Sequence, residues 1–140
     1  MIVMQHILNA TDVRKEWGGF IDSVVRLKPQ MVKRNRDMFM ALSLEHLEFI
    51  LEQFTFTMEY EQEEDGSYSG SLAQVDVVAS APDLPSLKKA LAESLIEYAH
   101  EYWDELHLYA NSPNRKQHFP YMIRVLIQSD LEGIVKLIDA

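Results

Sequence analysis

The sequence contains no cysteine, so it carries no disulfide framework and no thiolate metal site. That fits a reducing compartment. It has no apolar run near the ~18 residues of a membrane span. Met1 to Leu8 lacks the basic start and long apolar stretch of a secretion signal. The expectation is a soluble chain that stays in the cytoplasm. Glycine is scarce, with five in 140 residues, and nowhere forms a phosphate-cradling loop. The Gly-x-Ser-x-Gly and His-Glu-x-x-His patterns of hydrolases and zinc proteases are also missing. There is no internal repeat and no low-complexity tract. The expectation is a protein that is not an enzyme, with no catalytic residue, no metal and no cofactor.

What is present is charge, unevenly spread. The net charge is −9. Residues 1–42 carry a surplus of +3, residues 43–105 a deficit of −13, and residues 106–140 a surplus of +1. Such a split points to two surfaces with different partners. The basic first third suits nucleic acid, because Lys and Arg contacts to phosphate supply most of the non-specific affinity. The acidic middle repels nucleic acid and attracts a basic protein.

Along the chain, Val3 to Leu8 reads as a short strand. Asn9 can cap a helix, with Asp12 at its positive end and Val13, Trp17, Phe20, Ile21 and Val24 at helical spacing. Gly18 and Gly19 weaken that helix, and Lys28-Pro29 stops it. Met31-Val32 then leads into Lys33, Arg34 and Arg36, with Asn35 and Asp37 placed to turn the chain. Phe39 to Leu42 has strand length, and Ser43 can cap a helix carrying Leu44, Leu47 and Leu51. From Phe54 the period changes to two. Phe54, Phe56, Met58 and Tyr60 alternate with Thr55, Thr57 and Glu59, as in a strand with one buried face. Asp65-Gly66 signals a hairpin turn, Tyr68 to Leu72 the return strand, and Val75 to Ala81 a third. Ser86 is placed to cap a long helix through Leu87, Leu91, Leu95, Ala99, Tyr102 or Trp103, and Leu106, broken at Asn111 to Asn114. Tyr121 to Ile127 reads as a strand, and Ser129 to Glu132 as the capping box of a last short helix.

Two stretches resemble known families. Thr11-Asp12-Val13-Arg14 in the first helix, the Arg34-Asn35-Arg36-Asp37 turn, and Phe39 to Leu42 followed by Ser43-Leu44-Glu45 are similar to the Phd/YefM antitoxin family. That resemblance covers about residues 1–54 and departs in Gly18-Gly19 and in an Arg-Asn-Arg turn without glycine. The hairpin at Asp65-Gly66-Ser67-Tyr68, with Pro82-Asp83-Leu84-Pro85 before the long helix, resembles the HicB-type module, a partial RNase H-like fold. Together they imply an α+β protein. A small Phd-like strand-helix-hairpin-helix unit (1–54) is followed by an acidic HicB-like module (55–140). The module has a three-stranded antiparallel sheet, a long helix and a C-terminal strand-helix. The join falls near residues 52–55.

The resemblance implies an antitoxin that represses its own operon as a homodimer on operator DNA and neutralises a basic toxin, a RelE-like ribonuclease. It assigns DNA contacts to Thr11, Arg14, Arg34, Asn35 and Arg36, with Asn9 and Lys15 as neighbours, and the basic cluster itself adds Lys33. Residues 1–54 are too few to bury much surface alone, so Phe20, Ile21, Val24, Phe39 and Leu42 are expected to supply the two-fold contact. Partner contacts are expected from the acidic stretch at Glu61, Glu63 and Glu64, with Tyr60, Tyr68, Tyr102 or Trp103 as aromatic anchors. The basic cluster could equally be a solvated turn. Glu97-x-x-His100 and Asp104-x-x-His107 have helical metal spacing, but further carboxylates from other helices are missing, so a solvated face is the plainer reading. Two other functions stay open: a repressor with a sensor domain and no toxin, and a metal-dependent RNase H-like nuclease.

Overall fold

Asn9 ends a strand and begins a helix. In the computed structural model, which describes residues 2–139, β1 (Ile7–Asn9) runs directly into α1 (Ala10–Lys15). The Asn9 side chain accepts a hydrogen bond of 2.8 Å from the Thr11 N–H, the expected N-cap. The helix does not continue unbroken. Glu16, at φ −116° and ψ 40°, interrupts it, and α2 (Trp17–Arg26) begins anew. The break therefore precedes Gly18 and Gly19, which both sit inside α2. β1 is also shorter than the Val3 to Leu8 run. Only Ile7 to Asn9 finds a partner, parallel to Met31 to Lys33, while Val3 stays 94% exposed.

β2 (Gln30–Arg34) and β3 (Asp37–Ala41) form the expected hairpin, with Arg34 opposite Asp37 and a two-residue loop between them. Asn35 has φ 54°. Asn tolerates a positive φ better than any residue but Gly. Asp37 thus lies on the strand rather than in the loop. Ser43 caps α3 (Leu44–Leu51) by accepting from the His46 N–H at 3.1 Å. The chain divides into two compact units, Met1–Ile50 and Leu51–Ala140. The first has a thin core of Val13, Phe20, Val24 and Val32.

In the second unit β4 (Phe56–Gln62), β5 (Tyr68–Leu72) and β6 (Val78–Ala81) form an antiparallel meander, and β7 (Ile138–Asp139) adds parallel to β4, giving the order β6-β5-β4-β7. The Asp65-Gly66 turn forms as its residues require, with Gly66 at φ 91° and the Asp65 carboxylate accepting from the Ser67 N–H at 2.9 Å. α4 (Leu84–Asp104) packs on one face of the sheet and buries Leu87, Leu91, Leu95, Ala99 and Tyr102. Its cap is Asp83, which accepts from the Ser86 N–H at 2.8 Å, so Ser86 is the capped residue and not the cap. The break at Glu105 comes before the Asn111 loop and starts α5 (Leu106–Ala110).

The C-terminal strand at Tyr121 to Ile127 is a helix, α6 (Phe119–Leu126). A five- to seven-residue apolar run does not distinguish the two states by itself. Pro120 in the first turn and the burial of Met122 and Val125, three apart, decide for helix. α7 (Leu131–Val135) is capped by Asp130 onto the Gly133 N–H at 2.8 Å, one position later than the Ser129 box, and Ile138 leaves the helix to join β7.

Gly70, opposite Tyr60 on β5, lies beneath the Leu87 side chain of α4. A Cβ there would stand 2.9 Å from the Leu87 Cδ2 and 3.1 Å from the Glu59 carbonyl. Leu87 is fully buried and has nowhere to withdraw. Near the other end of α4, the Tyr98 hydroxyl meets His118 Nδ1 at 2.7 Å and accepts from Arg115 at 2.9 Å. Arg115 can only donate, so the Tyr98 hydroxyl accepts from it and keeps its own hydrogen available for His118 Nδ1.

Two outcomes follow from this packing. Gly70→Ala should cost about 1–3 kcal/mol in denaturant unfolding, the range for a forced methyl in a filled core. Stability should also fall with acidity through His118. Burial lowers its pKa below the ordinary 6.5; Asp76 opposes this and Arg115 adds to it. The unfolded chain then binds the proton more readily, so stability is lost as pH drops below about 6.5 and is unaffected by this group above it. Melting between pH 7.5 and 5 should show the decline, and His118→Gln should flatten it. The depressed carboxylates of Asp65 and Asp83 act in the same direction, but only as pH falls toward their ordinary 3.8 and below.

Candidate functional site

The hairpin β2–β3 has two faces, set by alternation along each strand. Val32, Arg34, Asp37 and Phe39 share the face that carries α1, since Val32 pairs with Phe39 and Arg34 with Asp37. Lys33 lies on the other face with Met31, Met38 and Met40. On the α1 side, Ala10, Thr11 and Arg14 meet Arg34, Asp37 and Phe39 around a hollow of about 480 Å3. Three of the seven residues expected at DNA are thereby brought together: Thr11, Arg14 and Arg34. Phe39, 55% exposed, lends the hollow an apolar wall.

Arg34 already has a partner, Asp37 at 3.0 Å, but both side chains are about three-quarters exposed. An exposed pair of this kind contributes ~0–1 kcal/mol, so a phosphate can replace the carboxylate at little cost. Asn35 and Arg36 occupy the loop beyond the hollow, and Asn35 is required there by its backbone. Lys15 is exposed at the end of α1 and does not line the hollow; Lys33 is turned away from it. Of the residues expected at a two-fold contact, Phe20 and Val24 are spent in the unit's own core, whereas Ile21 and Phe39 are exposed and Leu42 half-buried. Trp17 and Val25 were not anticipated as exposed, yet they extend the Ile21 row along α2. Their spacing of four residues was the available signal.

The residues expected to meet a partner separate by face. Tyr60 and Tyr68 lie on the α4 side of the sheet, with ring centroids 6.1 Å apart, and Tyr60 is 46% exposed. Glu59 and Glu61 lie on the opposite face, which bears Ser69, Ser71, Val78 and Ser80. Glu63 and Glu64 sit at the hairpin tip. Tyr102 is not a surface anchor: it is 1% exposed and its hydroxyl donates to the Arg115 carbonyl at 2.8 Å. Trp103, 51% exposed, is the outward member of that pair.

Among the described residues no three His, Asp or Glu side chains gather as a metal site would require. His100 faces a hollow beside Val125 and Leu131, and His107 falls beyond the break at Glu105, bonded through its carbonyl to Asn111. The break separates Asp104 on α4 from His107 on α5, whereas Glu97 and His100 both lie on α4. No helix among the described residues is long and apolar enough to cross a membrane.

The comparisons with known proteins bear on the whole chain. A Phd-like family profile, described as antitoxin of toxin-antitoxin, RelE / RelB, TA system, matches residues 4–140. Among curated proteins no relative matches. A crystal structure from Syntrophomonas wolfei subsp. wolfei, described as an antitoxin part of a candidate toxin/antitoxin system, superposes with a TM-score of 0.91 at 36% identity. The match covers 97% of this chain and 98% of that one.

Proposed function

This chain belongs to the Phd-like family of antitoxins of toxin–antitoxin systems, and from that premise we propose a division of labour between its two units. The first unit binds operator DNA and represses the chain's own operon. The second neutralises the cognate toxin, a basic ribonuclease of RelE-like character. The observation that carries the DNA arm is the convergence of Thr11, Arg14 and Arg34 on one hollow at the hairpin tip, beside Asn35 and Arg36. Two elements distant in sequence supply the cations, as a phosphate-tracking surface needs.

The unit acts as a homodimer. What supports this is its thin four-residue core together with the exposed apolar row Trp17, Ile21 and Val25 and the Met31, Met38 and Met40 face of the sheet. A two-fold dimer fits a palindromic operator.

Residues 55–140, within the second unit, are read as HicB-like. The meander β4-β5-β6 capped by α4, with β7 returning parallel beside β4, supports the partial RNase H-like reading. Its acidic residues suit a basic partner: Glu61 on one face of the sheet, Glu63 and Glu64 at the hairpin tip, with Tyr60 and Tyr68 on the other face and Trp103 on α4 as aromatic contacts.

The DNA arm is checked by titrating duplex containing the upstream region at several salt concentrations. Replacing Arg34 and Arg36 by Ala should lower the salt slope by roughly 2, about one unit for each lost phosphate contact; unchanged binding would reduce the turn to ordinary surface. The toxin arm is checked by co-expressing the full chain with the product of the adjacent gene. Growth should be restored and the two proteins should co-purify. If no basic neighbour exists, or growth is not restored, the repressor with a sensor domain becomes the better reading.

A further inference from the structure

β6 is the terminal strand of its sheet, and among the described residues no strand pairs with its outer side. Edge strands are ordinarily blunted by charge, proline or a covering element, because their free N–H and C=O groups invite another strand. β6 reads Val78-Ala79-Ser80-Ala81, with no charge and no proline inside it, and Val78 is 74% exposed. Nothing in the strand itself discourages pairing.

The surroundings of this edge are selective. Val78 lies on the rim of two hollows at once. One, about 590 Å3, spreads over the bare face of the sheet and holds Glu59 and Glu61 beyond a floor of Ser69, Ser71 and Ser80. The other, about 360 Å3, lies on the α4 side and holds Asp76, Glu97 and Glu101. Its one cation, Arg115, is already engaged: it donates to Tyr98 at 2.9 Å and stands over the Tyr98 and Tyr109 rings at 5.4 and 5.8 Å. Glu101 accepts from the Tyr109 hydroxyl at 2.9 Å and keeps its second oxygen. Side chains of an added strand alternate between the two faces of the sheet. One set would cross the serine floor toward Glu59 and Glu61; the other would enter the hollow with Asp76, Glu97 and Glu101.

We propose that the β6 edge accepts, by strand addition, an extended segment of the toxin with Lys or Arg on both faces. This rests on the toxin-binding reading above and specifies where and how that contact is made. Backbone pairing supplies the attachment and the two acidic flanks supply the choice of partner. A second copy of this chain is the disfavoured occupant, because edge-to-edge pairing would bring two sets of Asp76, Glu97 and Glu101 together.

The test uses the full chain and the product of the adjacent gene. Val78→Lys places a cation on the edge at a side chain that is mostly in water, and Glu97→Lys reverses one flank; Val78→Thr keeps a strand-forming, uncharged edge. Folding of each is checked by its melting curve. Val78→Lys and Glu97→Lys should each weaken the complex by roughly tenfold or more, with Val78→Thr near the parent. Backbone amides of residues 78–81 should become protected from hydrogen exchange when the complex forms. A complex that tolerates Val78→Lys and leaves those amides unprotected overturns the edge assignment while the toxin-binding reading stands. No complex with the parent chain overturns both. A self-association that Val78→Lys abolishes in the absence of the partner puts a second copy at the edge and likewise overturns the proposal.

Discussion

Leu87 closes on Gly70 with no room for a methyl group between them, and that approach sets the height of α4 above its sheet. The rest of the second unit follows from it. Leu91, Leu95 and Ala99 continue the same stripe at full burial, and Met122, Val125 and Ile134 complete the layer. Burial of each large aliphatic side chain contributes on the order of 1.5–3 kcal/mol, so the helix is held by its length of contact and not by any one residue. Because all the helical cover described for this sheet lies on one side, the other face keeps small and polar side chains, and the acids Glu59 and Glu61 point away from the core. The asymmetry that builds the core also builds the surface.

The two units solve different problems with few residues. The first buries four side chains in its core and leaves Trp17, Ile21, Val25 and Phe39 exposed, a composition suited to completion by something outside the unit. The second has the larger buried core and is acidic. A single net charge of −9 conceals this, since the basic surplus belongs to residues 1–42 and the acidic excess to residues 43–105. Charge of each sign is concentrated where a different kind of polymer can be met.

Much of this was legible from residue order where the physics is local. Asn9 and Ser43 cap their helices, Asn35 and Asp65-Gly66 turn their hairpins, and the Phe56, Met58 alternation gives the buried face of β4. The misses have physical reasons. Tyr121 to Ile127 satisfies a strand and a helix pattern equally, and Pro120 settles it. Asp83 outcompetes Ser86 because a cap must precede Pro85, the residue already fit for the first turn. Glu16 breaks a helix whose apolar period runs through unbroken, since Trp17 and Ile21 keep that period while remaining exposed. Tyr102 and Trp103 are adjacent on a helix, and tertiary contacts set Tyr102 inside, against the Tyr98 and Tyr109 rings and the Arg115 carbonyl. In the candidate surfaces, residue type was readable but face was not: Lys33 and Arg34 are neighbours in sequence and lie on opposite sides of the sheet.

β7 closes the sheet beside β4 by joining positions 56 and 138. The meander β4-β5-β6 and the start of α4 need only short loops, so they can assemble early in folding. The Phe56 to Ile138 pairing must instead close a long stretch of chain, and contacts of such separation slow the final step. Until it forms, β4 is itself an open edge with Phe56 at its start. The interval between meander and closure is therefore when a newly made chain is most exposed to pairing with the wrong strand, and its length is set by the helices that must fold between the two positions.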